Sequence, residues 1–518
     1  MELASSEMVT AGWILILIYA AVILYFVIKG AGKTKEMDDY ALGSIIFSPT
    51  AVGLSLAASI TSAATFIINP GFVALYGFSG VIAMGLALPL ATLGSLVLFT
   101  KGFRNYGATV KALSMADWIK KKYASDGFGI FFGFLSLLLI TFIVLICVGL
   151  TKVLSSTLNL PEFYTLFGIV LFIFGYMMYG GANSMVYTNT IQAIMMVIVA
   201  FILLGSGYEH FSDGVAGFVD KLNAIDPKLT QVTNNSSFLF RDYFEILAAP
   251  FIVGIAIVCQ PHILTKSLLL DSEKDVNRYL IVGVIVQFLF FLVVIAGLYA
   301  RISFADLTIN GEALPMDGIV SAYVVKEFTV AVALIIVLGL ISAGISTLES
   351  LIQSLSTSIT NDIIEPITGK AFFDRKIWSL PAKLICNRLV IVAMAAITIL
   401  LSWQQLVSPK LSVGIFAQNG VYAYFSAAFV PILMGMFFKG VPKVAPIAAS
   451  VVAVIVHFTV YYAQICVPFS QADGENPGVA AALAIITATV VGFSIYGIKN
   501  KGFGLQSEKD KRSLASEL

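Results

Sequence analysis

The sequence predicts an all-α polytopic membrane protein with about thirteen transmembrane helices. Of its 518 residues, 58% are hydrophobic and only 12% are charged, and the mean hydropathy is +0.93. Apolar stretches long enough to cross a bilayer core of about 30 Å recur along the whole chain. An ordinary soluble domain is excluded, because such domains carry about 25% charged residues.

The predicted spans are separated by polar or charged connections. They lie near residues 11–29, 46–76, 79–100, 127–153, 162–181, 187–208, 244–270, 277–302, 328–362, 386–404, 411–438, 443–468 and 478–498. We therefore expect one transmembrane domain over 1–498 and a short charged tail over 499–518.

Basic residues indicate the orientation of the spans. With thirteen spans, every second connection lies on the same side of the membrane, and that side carries 24 of the 31 Lys and Arg residues. Cytoplasmic loops are enriched in Lys and Arg. The pattern predicts an N-terminus outside the cell and a cytoplasmic tail. The expected location is the plasma membrane, which is the inner membrane of a bacterium.

Two of the predicted spans contain a proline at a break. Pro70 follows a run of small residues in the second span, and Pro261 follows an apolar run in the seventh. A proline frees a backbone carbonyl, which membrane helices tolerate only where a cavity or other groups satisfy it. Because the two breaks lie five spans apart, the halves that they begin have opposite orientations. This is typical of inverted-repeat transporters, whose broken helices hold substrate and ions, whereas two independent kinks are the simpler alternative.

The predicted repeats divide the domain into a core and a periphery. The core repeats are expected over 46–208 and 244–438. The peripheral helices are then 11–29, 443–468 and 478–498.

The stretch 341–359 is the most polar part of any long apolar segment. It carries eight hydroxyl side chains and Glu349, and a charged residue at that depth costs roughly 2.5–3.5 kcal/mol, so it usually faces a pathway. At about 100° per residue, six residues fall broadly on one side of a helix: Ser342, Ala343, Ser346, Thr347, Glu349 and Ser350. A surface for close helix packing is the alternative interpretation.

No motif indicates an enzyme. The three histidines are scattered, no cysteines are paired in a metal-binding pattern, and no nucleotide-binding loop is present. Oxygen ligands with few formal charges suit a hard monovalent cation, so Na+ is the expected ion. The expected partners are a small organic solute and the lipid bilayer. The net charge of +1 gives no reason to expect nucleic acid, and no obligate protein partner is indicated.

Four motifs together resemble the sodium:solute symporters. They are SLAASITSAATFIINPG at 55–71, GGANSMVYTNTIQA at 180–193, QPHILTKSLLL at 260–270 and SAGISTLES at 342–350. A fifth segment, Asp38, Asp39, Tyr40 and Gly43, resembles the family's entry motif. The resemblance implies a 5+5 inverted-repeat core of the LeuT type, formed by spans two to eleven, and transport coupled to Na+.

The resemblance also implies ligands for a first sodium site. These are the backbone carbonyls of Ala58, Thr61 and Ala343 and the hydroxyls of Ser346 and Thr347. It places Ser62 and Thr65 towards the substrate, with Gln260 and His262 facing them.

One departure from the family's pattern concerns a second ion. Where family members carry an aspartate that supports sodium coupling, this chain has Asn189, and two hydroxyl positions on the long helix are occupied by Glu349 and Ser350. The hypothesis is that Asn189, Ser346, Glu349 and Ser350 form a second cation site, or a protonatable group in its place.

The substrate is less well defined by the motifs. Val253 and Ile257 stand where proline transporters carry aromatic residues, and 127–150 holds no basic residue of the kind that sialic acid transporters use. A small monocarboxylate is favoured. The alternatives are a sodium-coupled symporter of an amino acid other than proline, or a non-transporting sensor of solute or sodium on the same fold.

Overall fold

The computed structural model describes most of the chain. The described residues are 4–45, 47–62, 64–270, 272–309, 311–377, 380–408, 412–467, 470, 475–500, 502 and 504–505. The tail predicted over 499–518 therefore lies largely outside the described residues.

Helices make up almost all of the described structure. The α-helices are α1 (Ser6–Ala31), α2 (Met37–Leu42), α3 (Pro49–Ile60), α4 (Asn69–Tyr76), α5 (Phe78–Val81), α6 (Leu88–Thr109), α7 (Met115–Tyr123), α8 (Asp126–Ser136), α9 (Ile140–Leu158), α10 (Glu162–Gly205), α11 (Gly214–Ile225), α12 (Ala249–Ile257), α13 (Pro261–Leu264), α14 (Glu273–Leu292), α15 (Ala296–Ser303), α16 (Ile319–Glu327), α17 (Val330–Ser358), α18 (Glu365–Thr368), α19 (Lys370–Phe373), α20 (Ala382–Val407), α21 (Val413–Phe437), α22 (Val444–Tyr462) and α23 (Pro477–Asn500).

Short π and 3-10 segments join or extend several of these helices. The π segments are Ala64–Ile68, Ile82–Ala87, Phe244–Ala248 and Ile359–Ile364, and the 3-10 segments are Leu137–Leu139, Tyr208–Phe211, Pro227–Thr230, Thr265–Leu269, Val293–Ile295 and Met316–Gly318. Two small antiparallel hairpins lie in connections, β1 (Thr308–Ile309) with β2 (Glu312–Ala313) and β3 (Lys376–Ile377) with β4 (Leu380–Pro381).

Ten described helices are long and apolar enough to cross a membrane, and two bent pairs raise the number to twelve. The predicted number of thirteen is therefore not confirmed. The difference lies at 162–211, where two predicted spans form one continuous helical run of 50 residues. At 1.5 Å per residue that run would be about 75 Å long. Gly181 interrupts it with φ 63° and ψ −162°, at the boundary between the two predicted spans.

The two bent pairs lie in the two spans predicted to be broken, but only the second bend lies at its proline. The first bend lies at Thr61, nine residues before Pro70, and Pro70 falls inside the half-helix Ala64–Tyr76. Pro49–Ile60 and Ala64–Tyr76 meet at 58°, and Phe244–Ile257 and Pro261–Leu269 meet at 57°. The similar bends agree with the prediction of two related halves.

Helix α17 lies at the centre of the bundle. Every residue from Gly339 to Ser358 on this helix is buried, and the helix packs against α3, α9, α10 and α13. Helices α22 and α23 pack on α21, while α1 exposes apolar side chains such as Leu17 and Ile28. Exposed apolar side chains on a membrane helix face lipid.

Candidate functional site

The first broken helix ends in a run of small residues. Helix α3 stops at Ile60, Thr61 is extended with φ −91° and ψ 102°, and helical structure resumes at Ala64. The last carbonyls of a helix have no partner within that helix. The break thus presents the carbonyl oxygens of Ala58 and Thr61 to neighbouring helices.

Helix α17 meets these carbonyls with two hydroxyl groups. The Ser346 Oγ atom lies 2.8 Å from the Ala58 carbonyl oxygen and 3.1 Å from that of Ala343. The Thr347 Oγ1 atom lies 3.1 Å from the Thr61 carbonyl oxygen, 3.2 Å from that of Ala343 and 3.3 Å from that of Ala58. All five residues are buried. The structure therefore brings together all five residues predicted for the first sodium site as a cluster of uncharged oxygens.

The residues predicted for a second cation site also lie near one another. The Asn189 amide faces Glu349, with 2.8 Å between its nitrogen and Oε2 when the amide is oriented to satisfy both of its ends. The Ser350 hydroxyl contacts the hydroxyl of Ser59 at 2.7 Å and donates to the Ser346 carbonyl at 2.9 Å. The Ser346 hydroxyl itself belongs to the first cluster.

Two residues that the sequence did not single out complete the surroundings of Glu349. The Tyr176 hydroxyl donates to Oε1 at 2.5 Å, and the Thr188 hydroxyl donates to Oε2 at 2.6 Å. Glu349 is only 1% exposed. Its carboxylate thus accepts from three donors of this chain, counting the Asn189 amide.

Lys266 was also missed as a site residue. It is one of the 24 Lys and Arg residues assigned from the sequence to the connections on one side of the membrane, yet it is 3% exposed. Its ammonium donates to the Ser55 hydroxyl at 2.7 Å and to the Asn189 amide oxygen at 3.2 Å. The signal that would have found it is its place only five residues after Pro261, inside the apolar run of the second broken helix.

The second break positions the residues expected to face the substrate. Helix α12 ends at Ile257, Gln260 is extended with φ −99° and ψ 142°, and Pro261 opens the short helix α13. The Gln260 Nε2 atom donates to the Ile257 carbonyl at 2.9 Å. This bond caps the end of α12 and leaves the Gln260 Oε1 atom free to face the interior.

One cavity of about 170 Å³ is lined by all four predicted substrate residues, Ser62, Thr65, Gln260 and His262. Its volume is similar to that of an engineered cavity of about 150 Å³ that binds benzene. Among the residues that the structure describes, neither Gln260 Oε1 nor His262 Nδ1 has a hydrogen-bond partner, although both atoms are buried. Further lining residues, mostly apolar, include Ile60, Ala64, Ile68, Phe142, Leu145, Val253, Ile257, Phe291, Ala417, Val421 and Tyr422.

An ion pair between Glu245 and Arg241 lies at the same cavity. Glu245 lines it and is 2% exposed. Its Oε1 atom lies 2.7 Å from Arg241 Nη2 and 3.0 Å from the amide nitrogen of Asn476, the residue just before α23. The carboxylate is therefore held by the chain's own groups.

Comparisons with known proteins agree with this architecture. A model of the sodium:solute symporter family matches residues 40–452, most of the chain. The chain belongs to the sodium:solute symporter family. The members of this family are sodium-coupled transporters of small organic solutes and not enzymes.

Several symporters of known cargo are similar to the chain. The sodium/pantothenate symporter of Escherichia coli is 24% identical over 470 residues, 88% of this chain and 90% of that protein. The same transporter of Haemophilus influenzae is 26% identical over 346 residues, 65% of this chain and 68% of that protein. The proline transporter PutP of Bacillus subtilis is 22% identical over 446 residues, 83% of this chain and 87% of that protein.

A solved structure supports the fold. The outward-open, substrate-bound structure of a Na+-coupled sialic acid symporter superposes with a TM-score of 0.72 at 18% identity, covering 92% of this chain and 97% of that one. The symporter therefore has the LeuT-type fold that the resemblance of its motifs implies.

Proposed function

We propose that the symporter imports a small organic monocarboxylate together with Na+ across a bacterial inner membrane. The observation that carries the proposal is the break at 61–64. Thr61 turns its carbonyl to the oxygen cluster of α17, and the next residue, Ser62, lines the cavity. One short segment thus contacts both the proposed ion site and the proposed solute site, so closure around one favours closure around the other.

The ion ligands in this proposal are those of the uncharged cluster. Ala58, Thr61, Ala343, Ser346 and Thr347 supply carbonyl and hydroxyl oxygens, which suit a hard monovalent cation. Among the described residues, no group of three or more His, Cys, Asp and Glu residues offers a metal site. Sodium would reach the cluster at the end of α3, where backbone carbonyls replace part of its water shell.

The solute ligands follow from the unpaired polar atoms. Ala64 and Thr65, at the N-terminal end of the half-helix Ala64–Tyr76, line the cavity. The N-terminus of a helix carries a partial positive charge that favours an anionic group. The buried and unpaired Gln260 Oε1 atom requires a donor, since a buried polar group without a partner costs about 1–3 kcal/mol. The solute we propose has a carboxylate at one end and a hydroxyl or amide N–H donor at the other.

Pantothenate is the first solute to test. It combines one carboxylate with hydroxyl and amide donors, and it is the cargo of two of the similar symporters. Because those symporters are 24% and 26% identical to this chain, transport of pantothenate by this chain is a question for experiment.

An amino acid other than proline is the second candidate. The unpaired Gln260 Oε1 atom lines the cavity and would accept from an ammonium group. Proline is disfavoured, because Val253 and Ile257 supply no aromatic surface there.

Uptake into proteoliposomes tests the proposal. The purified symporter is reconstituted, and accumulation of labelled pantothenate, short monocarboxylates and amino acids is measured with an inward Na+ gradient and with choline in its place. We expect accumulation of a monocarboxylate only with Na+. Accumulation of amino acids alone would replace the proposal with its alternative, and accumulation of no solute would favour the non-transporting sensor.

The orientation is a separate part of the proposal. The excess of Lys and Arg in one set of connections supports an external N-terminus and a cytoplasmic tail. Labelling of single introduced cysteines by a membrane-impermeant reagent in whole cells would test it, with an external N-terminal site expected to react.

A further inference from the structure

Lys266 and Glu349 are two buried groups of opposite charge that approach the same amide. Lys266 is 3% exposed, Glu349 is 1% exposed and Asn189 between them is fully buried. The Asn189 oxygen accepts from the Lys266 ammonium at 3.2 Å, and its nitrogen donates to Glu349 Oε2 at 2.8 Å. Asn189 therefore bridges the ammonium and the carboxylate.

The charge balance of this cluster is already complete. A buried carboxylate is costly unless a positive charge and hydrogen bonds compensate it. Glu349 accepts from the Tyr176 and Thr188 hydroxyls, and Lys266 also donates to the Ser55 hydroxyl at 2.7 Å. The chain thus provides one buried cation for one buried anion.

The charged cluster of Lys266, Asn189 and Glu349 adjoins the uncharged oxygen cluster of the proposed first sodium site. The Ser59 hydroxyl lies 3.2 Å from the Asn189 oxygen and 2.7 Å from the Ser350 hydroxyl. Ser350 in turn donates to the carbonyl of Ser346, whose hydroxyl faces Ala58. The predicted second cation site is therefore contiguous with the first site and contains the Asn189 oxygen that a second Na+ would need.

We infer that the Lys266 ammonium takes the place of a second Na+, so that the symporter binds and transports a single Na+ per solute. In this arrangement the Lys266 ammonium contacts the Asn189 oxygen and compensates the charge of Glu349 through that amide. The transport stoichiometry is the one part of this inference that rests on the proposed function. Binding of Na+ to the protein does not require that the solute be known.

The consequence for transport is a smaller driving force. With a monocarboxylate as solute, one Na+ makes the translocated charge zero, whereas two Na+ would make it positive. A membrane potential acts only on the net charge that crosses the membrane. Uptake of the anion should therefore follow the Na+ gradient and be insensitive to an interior-negative potential.

The test counts Na+ sites directly. Binding of radioactive Na+ to the purified, full-length symporter is measured to saturation in detergent without solute, and coupling is then measured in proteoliposomes from the solute gradient that balances a set Na+ gradient. We expect about one bound Na+ per protein and a coupling ratio of about one. Two bound Na+ in the unaltered protein would overturn the inference while leaving Na+-coupled symport intact. One bound Na+ with no solute accumulation would support the inference and reject the proposed function.

Charge variants test the role of Lys266 itself. Lys266→Met leaves Glu349 without its internal cation, and we expect a second Na+ to bind. Lys266→Met combined with Glu349→Gln removes both charges and should return the count to one, as should Lys266→Arg, which keeps the positive charge. If Lys266→Met does not fold, the double variant still tests the assignment, because its Na+ count must equal that of the unaltered protein. A Na+ count that falls below that of the unaltered protein in the double variant would contradict the assignment, because Glu349 would then hold the ion.

Discussion

The hydroxyl oxygen of Thr347 lies 3.1 Å from the carbonyl oxygen of Thr61, and this contact joins the unbroken helix α17 to the end of the broken helix α3. Both residues are fully buried. The contact fixes the position of the break relative to the centre of the bundle. An ion held there would bridge these two helices.

Removal of the Thr347 hydroxyl should weaken Na+ binding. Thr347→Ala loses one oxygen of the proposed site, and an interaction with a charged group contributes about 1.5–3 kcal/mol. We expect the Na+ concentration for half-maximal uptake to rise about 10- to 100-fold, while Thr347→Ser, which keeps the hydroxyl, retains most of the affinity. Uptake as a function of Na+ concentration provides the measurement.

Ser354→Ala is the matched control for this series. Its hydroxyl bonds the Leu351 carbonyl of its own helix at 3.2 Å, two turns away from the cluster. An unchanged Na+ response of Thr347→Ala, measured beside an unchanged Ser354→Ala, would contradict the first sodium site.

Sodium should stabilise the folded protein. A ligand that binds only the native state adds about 2.7 kcal/mol of unfolding free energy at a concentration 100 times its dissociation constant. We expect the thermal unfolding midpoint to rise when NaCl replaces choline chloride at equal ionic strength, and KCl to give a smaller rise. The rise should be lost in Ser346→Ala combined with Thr347→Ala. An equal response of that double variant to Na+ would show that Na+ binds elsewhere.

Loss of the Gln260 acceptor should weaken binding of the solute and leave binding of Na+ unchanged. Gln260→Leu removes the unpaired Oε1 atom that lines the cavity, and a hydrogen bond contributes about 0.5–1.5 kcal/mol. We expect the KM for the solute to rise up to about tenfold, with binding of Na+ in the absence of solute unchanged. Gln231→Leu, the same change at an exposed loop position, is the control. A parallel loss of Na+ binding in Gln260→Leu would indicate misfolding of the second break. It would contradict the assignment of Gln260 as a ligand of the solute alone.

Gly181 should tolerate no side chain. It has φ 63°, and a Cβ atom there would lie 2.9 Å from the Cα and carbonyl oxygen of Tyr40. A non-glycine residue in such a conformation costs about 1–3 kcal/mol, so Gly181→Ala should lower the thermal unfolding midpoint. Gly175→Ala on the same helix has open space around the new Cβ atom and serves as the control. Equal midpoints for the two variants would contradict the break at Gly181.

Much of the candidate site could be predicted from local sequence. The small residues before Pro70, the Gln260 to His262 segment and the hydroxyl residues of α17 carry their chemistry in short motifs. Pro261 directly follows the extended Gln260, so the second break follows from a local signal. The first break lies at Thr61, nine residues before Pro70, so the sequence predicted the broken span but not the position of its break. The membrane class also follows from the sequence, because hydrophobic burial depends on composition and span length.

Tertiary packing decided what local patterns do not contain. The sequence singled out Glu349 but not its partners, since Tyr176, Thr188 and Lys266 come from other helices and are distant along the chain. Lys266 looks like a membrane-flanking residue until α13 packs against α3 and places its ammonium beside Ser55 and Asn189. Whether a buried charge is compensated depends on which helices meet around it, and that is a property of the assembled bundle. The sequence by itself determined a sodium-coupled symporter fold with two broken helices, and only the tertiary structure placed a lysine where a second ion was expected.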